Sequence, residues 1–202
     1  MEFRLIYEGL LPSNGNAQIK HEIRKHFHKQ LAELWDKHRA LQLAKERLSL
    51  GSGGTGTFLN KLANHFELEG YHFVPLINAK AFGLVCELDI LFMRRGVPGH
   101  LLIPGGDIDN RIKTLLDALR VPHNKNEVVG GPEAHEEPYF FCLLEDDALV
   151  TRINVNTDRL LKPLKSDTSH PENEVLLVIQ VTGKAAEPLT LGNVTFKEIT
   201  TW

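Results

Sequence analysis

Asp107 and Asp109 stand two residues apart in the run Gly105-Gly106-Asp107-Ile108-Asp109-Asn110-Arg111-Ile112-Lys113, with Lys113 one helical turn past the second carboxylate. A third acidic group, Glu145-Asp146-Asp147, follows further along the chain. Carboxylates are the hard oxygen ligands that magnesium prefers. An ion held by two or three of them neutralises charge on a phosphate and raises hydroxide from water. The glycines before Asp107 allow the backbone angles by which Asp107 and Asp109 converge. Asp146 or Asp147 would close such a site from a neighbouring strand edge, and Lys113 would meet the phosphate or the charge that develops on it. These residue types therefore suit metal-assisted phosphodiester hydrolysis. Each also has a plain reading. Asp107 can be a helix cap, Lys113 a surface residue paired with Asp109 or Asp117, and Glu145-Asp146-Asp147 a solvated turn. Residue types alone leave both readings open. A calcium loop is excluded, because its fifth position would be Arg111, which has no side-chain oxygen to offer.

Periodicity indicates what must position these groups. Ile108, Ile112, Leu115, Leu116 and Leu119 recur at spacings of 4, 7, 8 and 11, one face of an amphipathic helix. Asp109, Asn110, Lys113 and Asp117 then lie on its other side. Residues 2–7 read as a strand, followed by the turn Leu11-Pro12-Ser13-Asn14-Gly15-Asn16. Asn16 is a suitable N-cap for a long helix from Ala17 to Leu48, with Ile23, Phe27, Leu31, Leu34, Trp35 and Leu41 as its apolar face. A shorter helix is expected over Phe58–Glu67. Strands are expected from Tyr71, over Leu84–Phe92, over Leu149–Val155 and over Glu174–Val181. In Leu84–Phe92, Glu87 and Asp89 share a face, expected toward solvent. The sequence predicts an α+β (mixed α/β) chain of one domain, 1–202: a layered fold with a central mixed sheet and packed helices, carrying insertions near 49–80 and 121–144.

Composition narrows the classes further. With 202 residues and 42% hydrophobic content, the chain can bury one sizeable core. No apolar run reaches the roughly 20 residues of a membrane span, and the start lacks the pattern of a signal peptide, so no membrane partner is expected. Cys86 and Cys142 sit in apolar surroundings and are expected to be buried thiols of a cytoplasmic protein. The net charge of −3 is unevenly spread: residues 1–57 carry nine Lys/Arg against six Asp/Glu, whereas 121–150 carry Lys125 against seven acids. Gly51 to Gly56 imitate a phosphate loop but follow a helix and lack its lysine. His21, His26, His28 and His38 crowd the long helix without zinc spacing and are expected at the surface.

Taken together, Asp107-Ile108-Asp109-Asn110-Arg111-Ile112-Lys113, the following Asp117-Ala118-Leu119 and the later Asp146-Asp147-Ala148 resemble the RusA family of Holliday-junction resolvases. Pro12-Ser13-Asn14 after the first strand matches too. The resemblance covers that strand and turn and most of 84–155. It implies a homodimer that resolves four-way DNA junctions by paired nicking, with Mg2+ as cofactor and Mn2+ as a substitute ion. Asp107, Asp109 and Asp147 would be the metal ligands, and with Lys113 the catalytic set. Asn14, Asn110 and Lys113 would meet DNA, and the basic helix 20–47, with Arg24 and Lys25, would supply part of the DNA surface. The departures are a longer, acidic gap before Asp146 and little basic charge over the core, which leave open a nuclease for other branched DNA or a silent DNA-structure-binding protein.

Overall fold

The computed structural model describes residues 1–46, 57–95, 108–161, 171–186, 190–191 and 194–195, so Asp107 and the glycine run 51–56 lie outside it. In chain order the elements are β1 (Glu2–Leu10), α1 (Ala17–Lys37), α2 (Arg39–Glu46), α3 (Phe58–His65), β2 (Glu67–Leu68), β3 (Tyr71–Ile77), α4 (Ala79–Phe82), β4 (Leu84–Arg94), α5 (Ile108–Leu119), β5 (Phe140–Leu144), β6 (Val150–Arg159), β7 (Glu174–Ala185), and a small hairpin of β8 (Thr190–Leu191) and β9 (Val194–Thr195). This is the α+β organisation expected. A four-stranded sheet runs β1-β7-β4-β6, and a three-stranded sheet runs β2-β3-β5. The β4–β6 and β3–β5 pairs are parallel, and the others in these two sheets antiparallel.

Alternation along β4 builds the centre of the core. Cys86, Leu88, Ile90 and Phe92 are fully buried, while Glu87 and Asp89 turn to the outer face. Opposite them, Val175, Leu177, Ile179 and Val181 of β7 bury the same side. The segments expected as insertions are not peripheral. Phe73, Val74, Leu76 and Ile77 of β3 lie against Phe140 to Leu144 of β5, and all are buried. β5 escaped the sequence pattern because a strand covered on both faces shows no alternation.

The long helix expected over 17–48 is broken at His38, whose backbone is extended with ψ at 115°. Trp35 and Leu41 are both buried in the same core. In one continuous helix, residues six apart would point about 120° away from each other, so the break lets both reach it.

The helix histidines are a correction. His21, His28 and His38 are buried, and of the four His26 alone is exposed. His28 Nδ1 accepts the Phe141 N–H of β5 at 2.9 Å, and its ring stacks on Phe140. His21 Nδ1 faces a guanidinium nitrogen of Arg24 at 3.3 Å, which can only donate, so its Nε2 carries the proton toward Tyr71 Oη at 3.2 Å. Tyr71 in turn donates to Gly131 O.

Arg24, 1% exposed, joins these elements. Its Nη2 donates to Asp117 O at 2.9 Å, its Nε to Arg120 O at 3.2 Å and its Nη1 to Glu127 O at 3.4 Å. Two of these carbonyls end α5, where the helix dipole favours a cation. Arg24→Met should therefore cost about 3 kcal/mol by stranding buried carbonyls, lowering Tm by roughly 6–12 °C in calorimetry. A loss under about 1 kcal/mol would contradict this role.

Burial, and then the Arg24 charge, depress His21 to about 4. Burial also lowers His28 and His38. Unfolded imidazoles take up protons near pH 6.5, before the folded ones do. Stability should thus be intact above about pH 6.5 and decline as the pH falls toward 4. His21→Gln should flatten that decline in a series of thermal melts.

Candidate functional site

α5 is docked by a different face from the one expected. Arg111, Thr114, Leu115, Ala118 and Leu119 are buried, Ile112 and Leu116 are half-buried, and Ile108 is exposed. The shift follows from two polar anchors. Arg111 donates to Leu11 O, to Asn173 Oδ1 at 3.1 Å and to Glu172 O at 3.3 Å, tying α5 to the end of β1 and the start of β7. Thr114 Oγ1 accepts the Gly15 N–H at 3.0 Å and donates to Asn110 O at 3.1 Å. A Cβ on Gly15 would come within 2.7 Å of Thr114 Cγ2, so the turn needs glycine there. Asn14, beside it, has a φ of 55° and is exposed. The Leu11–Asn16 turn is thereby held on the N-terminal half of α5, with Asn14 one residue from the Gly15–Thr114 contact and Asn110 half-buried one turn before Thr114.

With that face turned inward, Asp109 and Lys113 project to solvent, and neither forms an ion pair among the described residues. Asp117 differs. Its carboxylate bonds Lys20 Nζ at 2.7 Å and Arg120 at 3.3 Å. Burial opposes its ionisation, but these two cations hold its carboxyl below the usual range.

The exit of α5 is zipped to the acidic run. Val121 N–H donates to Leu144 O at 2.9 Å, and Arg120 bridges Leu144. Glu145 N–H donates to Ile77 O, and a Glu145 carboxylate oxygen accepts Ala79 N–H at 3.0 Å. Asp146 accepts Ala148 N–H at 2.9 Å with one oxygen and meets His123 Nε2 at 3.0 Å with the other. The Ala148 amide above all, helped by a side-chain hydrogen bond with Asp147 and by His123, holds the Asp146 carboxyl below its usual range against the opposing effect of burial. Glu145 and Asp146 thus serve the turn, whereas Asp147 is exposed and forms no ion pair among the described residues.

The structure therefore leaves Asp109, Lys113 and Asp147 solvent-facing on two elements joined at Leu144. Asp107 falls outside the described residues, among which no three His, Cys, Asp or Glu side chains gather into a metal-sized group. What the residues offer is the right chemistry for a hard cation, carboxylates without nitrogen or sulfur.

Two of the expected DNA contacts are corrected. Arg24 is enclosed and its guanidinium is committed to carbonyls, so it cannot reach a phosphate. Lys25 turns to Glu133 at 2.8 Å and Glu136 at 3.4 Å rather than outward. Glu87 and Asp89 do face solvent, but they do not extend an acidic site. Arg152 chelates Asp89 at 2.8 and 3.1 Å and reaches Glu87, which Lys184 also contacts.

Helices long and apolar enough to cross a membrane are absent among the described residues. Scanned against family models the chain matches none, and no curated protein matches it.

The two adjacent aspartates should separate in urea titrations. Asp146→Ala should cost about 1 kcal/mol through loss of the amide cap, while Asp147→Ala should stay within about 0.5 kcal/mol. Equal losses would mean that Asp147 also serves the turn.

Proposed function

We propose that this chain is a magnesium-dependent endodeoxyribonuclease that resolves four-way DNA junctions, as its RusA-like motif implies. The observation that carries the reading is a division of labour within that motif. Asp117, Glu145 and Asp146 are consumed by the fold, whereas Asp109, Lys113 and Asp147, matching the family's chemical positions, are exposed and without ion pairs among the described residues. An exposed carboxylate with no ion pair to give up is available for a ligand.

Asp107, Asp109 and Asp147 would hold the cation, Mg2+ or in its place Mn2+. When bound, it supplies charge neutralisation at the phosphate and a more acidic water. Lys113, on the same helix face as Asp109, would set its ammonium against the negative charge that grows on the phosphoryl oxygens. Asn14 and Asn110 flank this face and would position the DNA backbone by hydrogen bonds that carry no sequence information. As a protein of the RusA type it would act as a homodimer, one site for each strand cut, and work in the cytoplasm.

A mobile four-way junction incubated with and without Mg2+ tests the reading directly. Cleavage should require the ion. Asp109→Asn should slow it by at least about 100-fold, the worth of several kcal/mol of transition-state charge stabilisation. Junction binding in a gel shift should persist or tighten, since a carboxylate leaves the phosphate path. Folding should be unchanged, because the side chain is exposed. Metal-independent cutting, or an Asp109→Asn variant as fast as the parent, would overturn the assignment.

A further inference from the structure

The larger sheet treats its two edges differently. Along β1, the Gln30 side chain of α1 stands where a neighbouring strand would: it accepts Ile6 N–H at 2.9 Å and donates to Ile6 O at 2.6 Å. His26 Nε2 also lies 3.0 Å from Ile6 O. Side chains that occupy edge groups block further pairing there. β6, at the opposite edge, is ten residues long and pairs on one side with β4. Residues 151–154 and 156–159 are exposed, with Ile153 40% accessible, while Val155 is half-buried against the core.

The direction of its main-chain groups follows from one bond. Leu160 N–H donates to Arg94 O of β4 at 2.7 Å. Since successive residues of a strand alternate sides, and the register is regular from Arg152 onward, Ile153, Val155, Thr157 and Arg159 turn their amide groups away from the sheet. Arg159 agrees, its N–H being taken up by Asp158 Oδ1.

We propose that β6 pairs antiparallel with β6 of a second copy of this chain about a two-fold axis at Val155, joining two four-stranded sheets into one. The sequence of β6 is self-complementary in this register. Val155 meets Val155, Ile153 meets Thr157, and Asn154 meets Asn156. Arg152 meets Asp158 at each end of the ladder. Directly opposed residues of an antiparallel pair share a face, so the unlike charges at 152 and 158 lie on the same side and attract. The side chain of Arg152 is 49% accessible beyond its contacts with Asp89 and Glu87, leaving it within reach of a second carboxylate. Odd-numbered residues oppose odd-numbered ones, which are those with outward amides, so the register also satisfies the backbone. One patch serves both subunits, as a two-fold interface requires. The inference names the surface of the expected homodimer and does not depend on the nuclease chemistry.

Light scattering coupled to gel filtration should give twice the chain mass for the parent at micromolar concentrations. Val155→Pro removes an outward N–H, which an edge strand tolerates, and should raise the dissociation constant at least about 100-fold with an unchanged circular-dichroism spectrum. Val155→Cys should form a symmetric disulfide under mild oxidation, whereas Ile153→Cys, opposite Thr157, should not. The native thiols Cys86 and Cys142 are buried and stay out of this reaction. Asp158→Arg should weaken the dimer about tenfold, and adding Arg152→Asp should restore it by exchanging the charges. A monomeric parent, or a dimer in which Val155→Cys fails to cross-link, overturns the proposal. Either result leaves Mg2+-dependent cleavage to be read separately.

Discussion

A guanidinium without access to water must have its donors met, and burying Arg24 imposes that demand on three parts of the chain at once. Burial pushes against its charge, as the downward shift of its pKa reflects. The answer is supplied by the last carbonyls of α5, by Glu127 and by the ring of His21. Once α1 holds the end of α5, the chain leaves at Arg120 and Val121 in reach of Leu144. The acidic run 145–147 follows at once. The position of Asp147 relative to α5 is thus a consequence of an arginine far from it in sequence.

The same packing accounts for the uneven charge of the sequence. The basic surplus of residues 1–57 meets the acids of 121–150 at Lys25, which pairs with Glu133 and Glu136, while α5 between them adds Asp117 paired with Lys20 and Arg120 paired with Glu127. Several of these pairs are partly buried, where they are screened less than surface pairs. A helix that looks like a DNA-binding stripe when read alone is, in the fold, the counter-charge of a later segment. Net charge therefore says little here about a polyanion partner.

What could be read from the sequence depended on local repetition. β4 and β7 alternate or run apolar, and Asn16 caps α1 as its residue type suggests. Histidine and arginine are usually placed at surfaces. Yet His21, Arg24, His28, Leu31 and Trp35 follow the 3–4 spacing of a buried stripe, and that spacing was the available signal. Their polarity hid it, because each is satisfied by a partner more than 45 residues away or by its own neighbour on the helix. β5 was hidden for the opposite reason, being apolar throughout. In the candidate site, residue types suited a hard cation and equally a cap and a solvated turn, and the division of Asp146 from Asp147 required the turn to be seen.

That division explains why the motif has the length it has. On α5, Arg111, Thr114 and Ala118 recur at intervals of three and four and face the protein. Asp109 and Lys113, also four apart, occupy the opposite side. The segment therefore interleaves a docking face with an exposed face that carries Asp109 and Lys113, each with helical period. Arg111 and Thr114 fix the helix against the Leu11–Asn16 turn and the start of β7, and Asp117 fixes its end through Lys20 and the Arg24 bond. Because the docking residues hold both ends, the exposed carboxylate and ammonium are carried on a fixed backbone and form no ion pair among the described residues. A cation site needs that arrangement, since a ligand already engaged in an ion pair must give up its partner before it can bind.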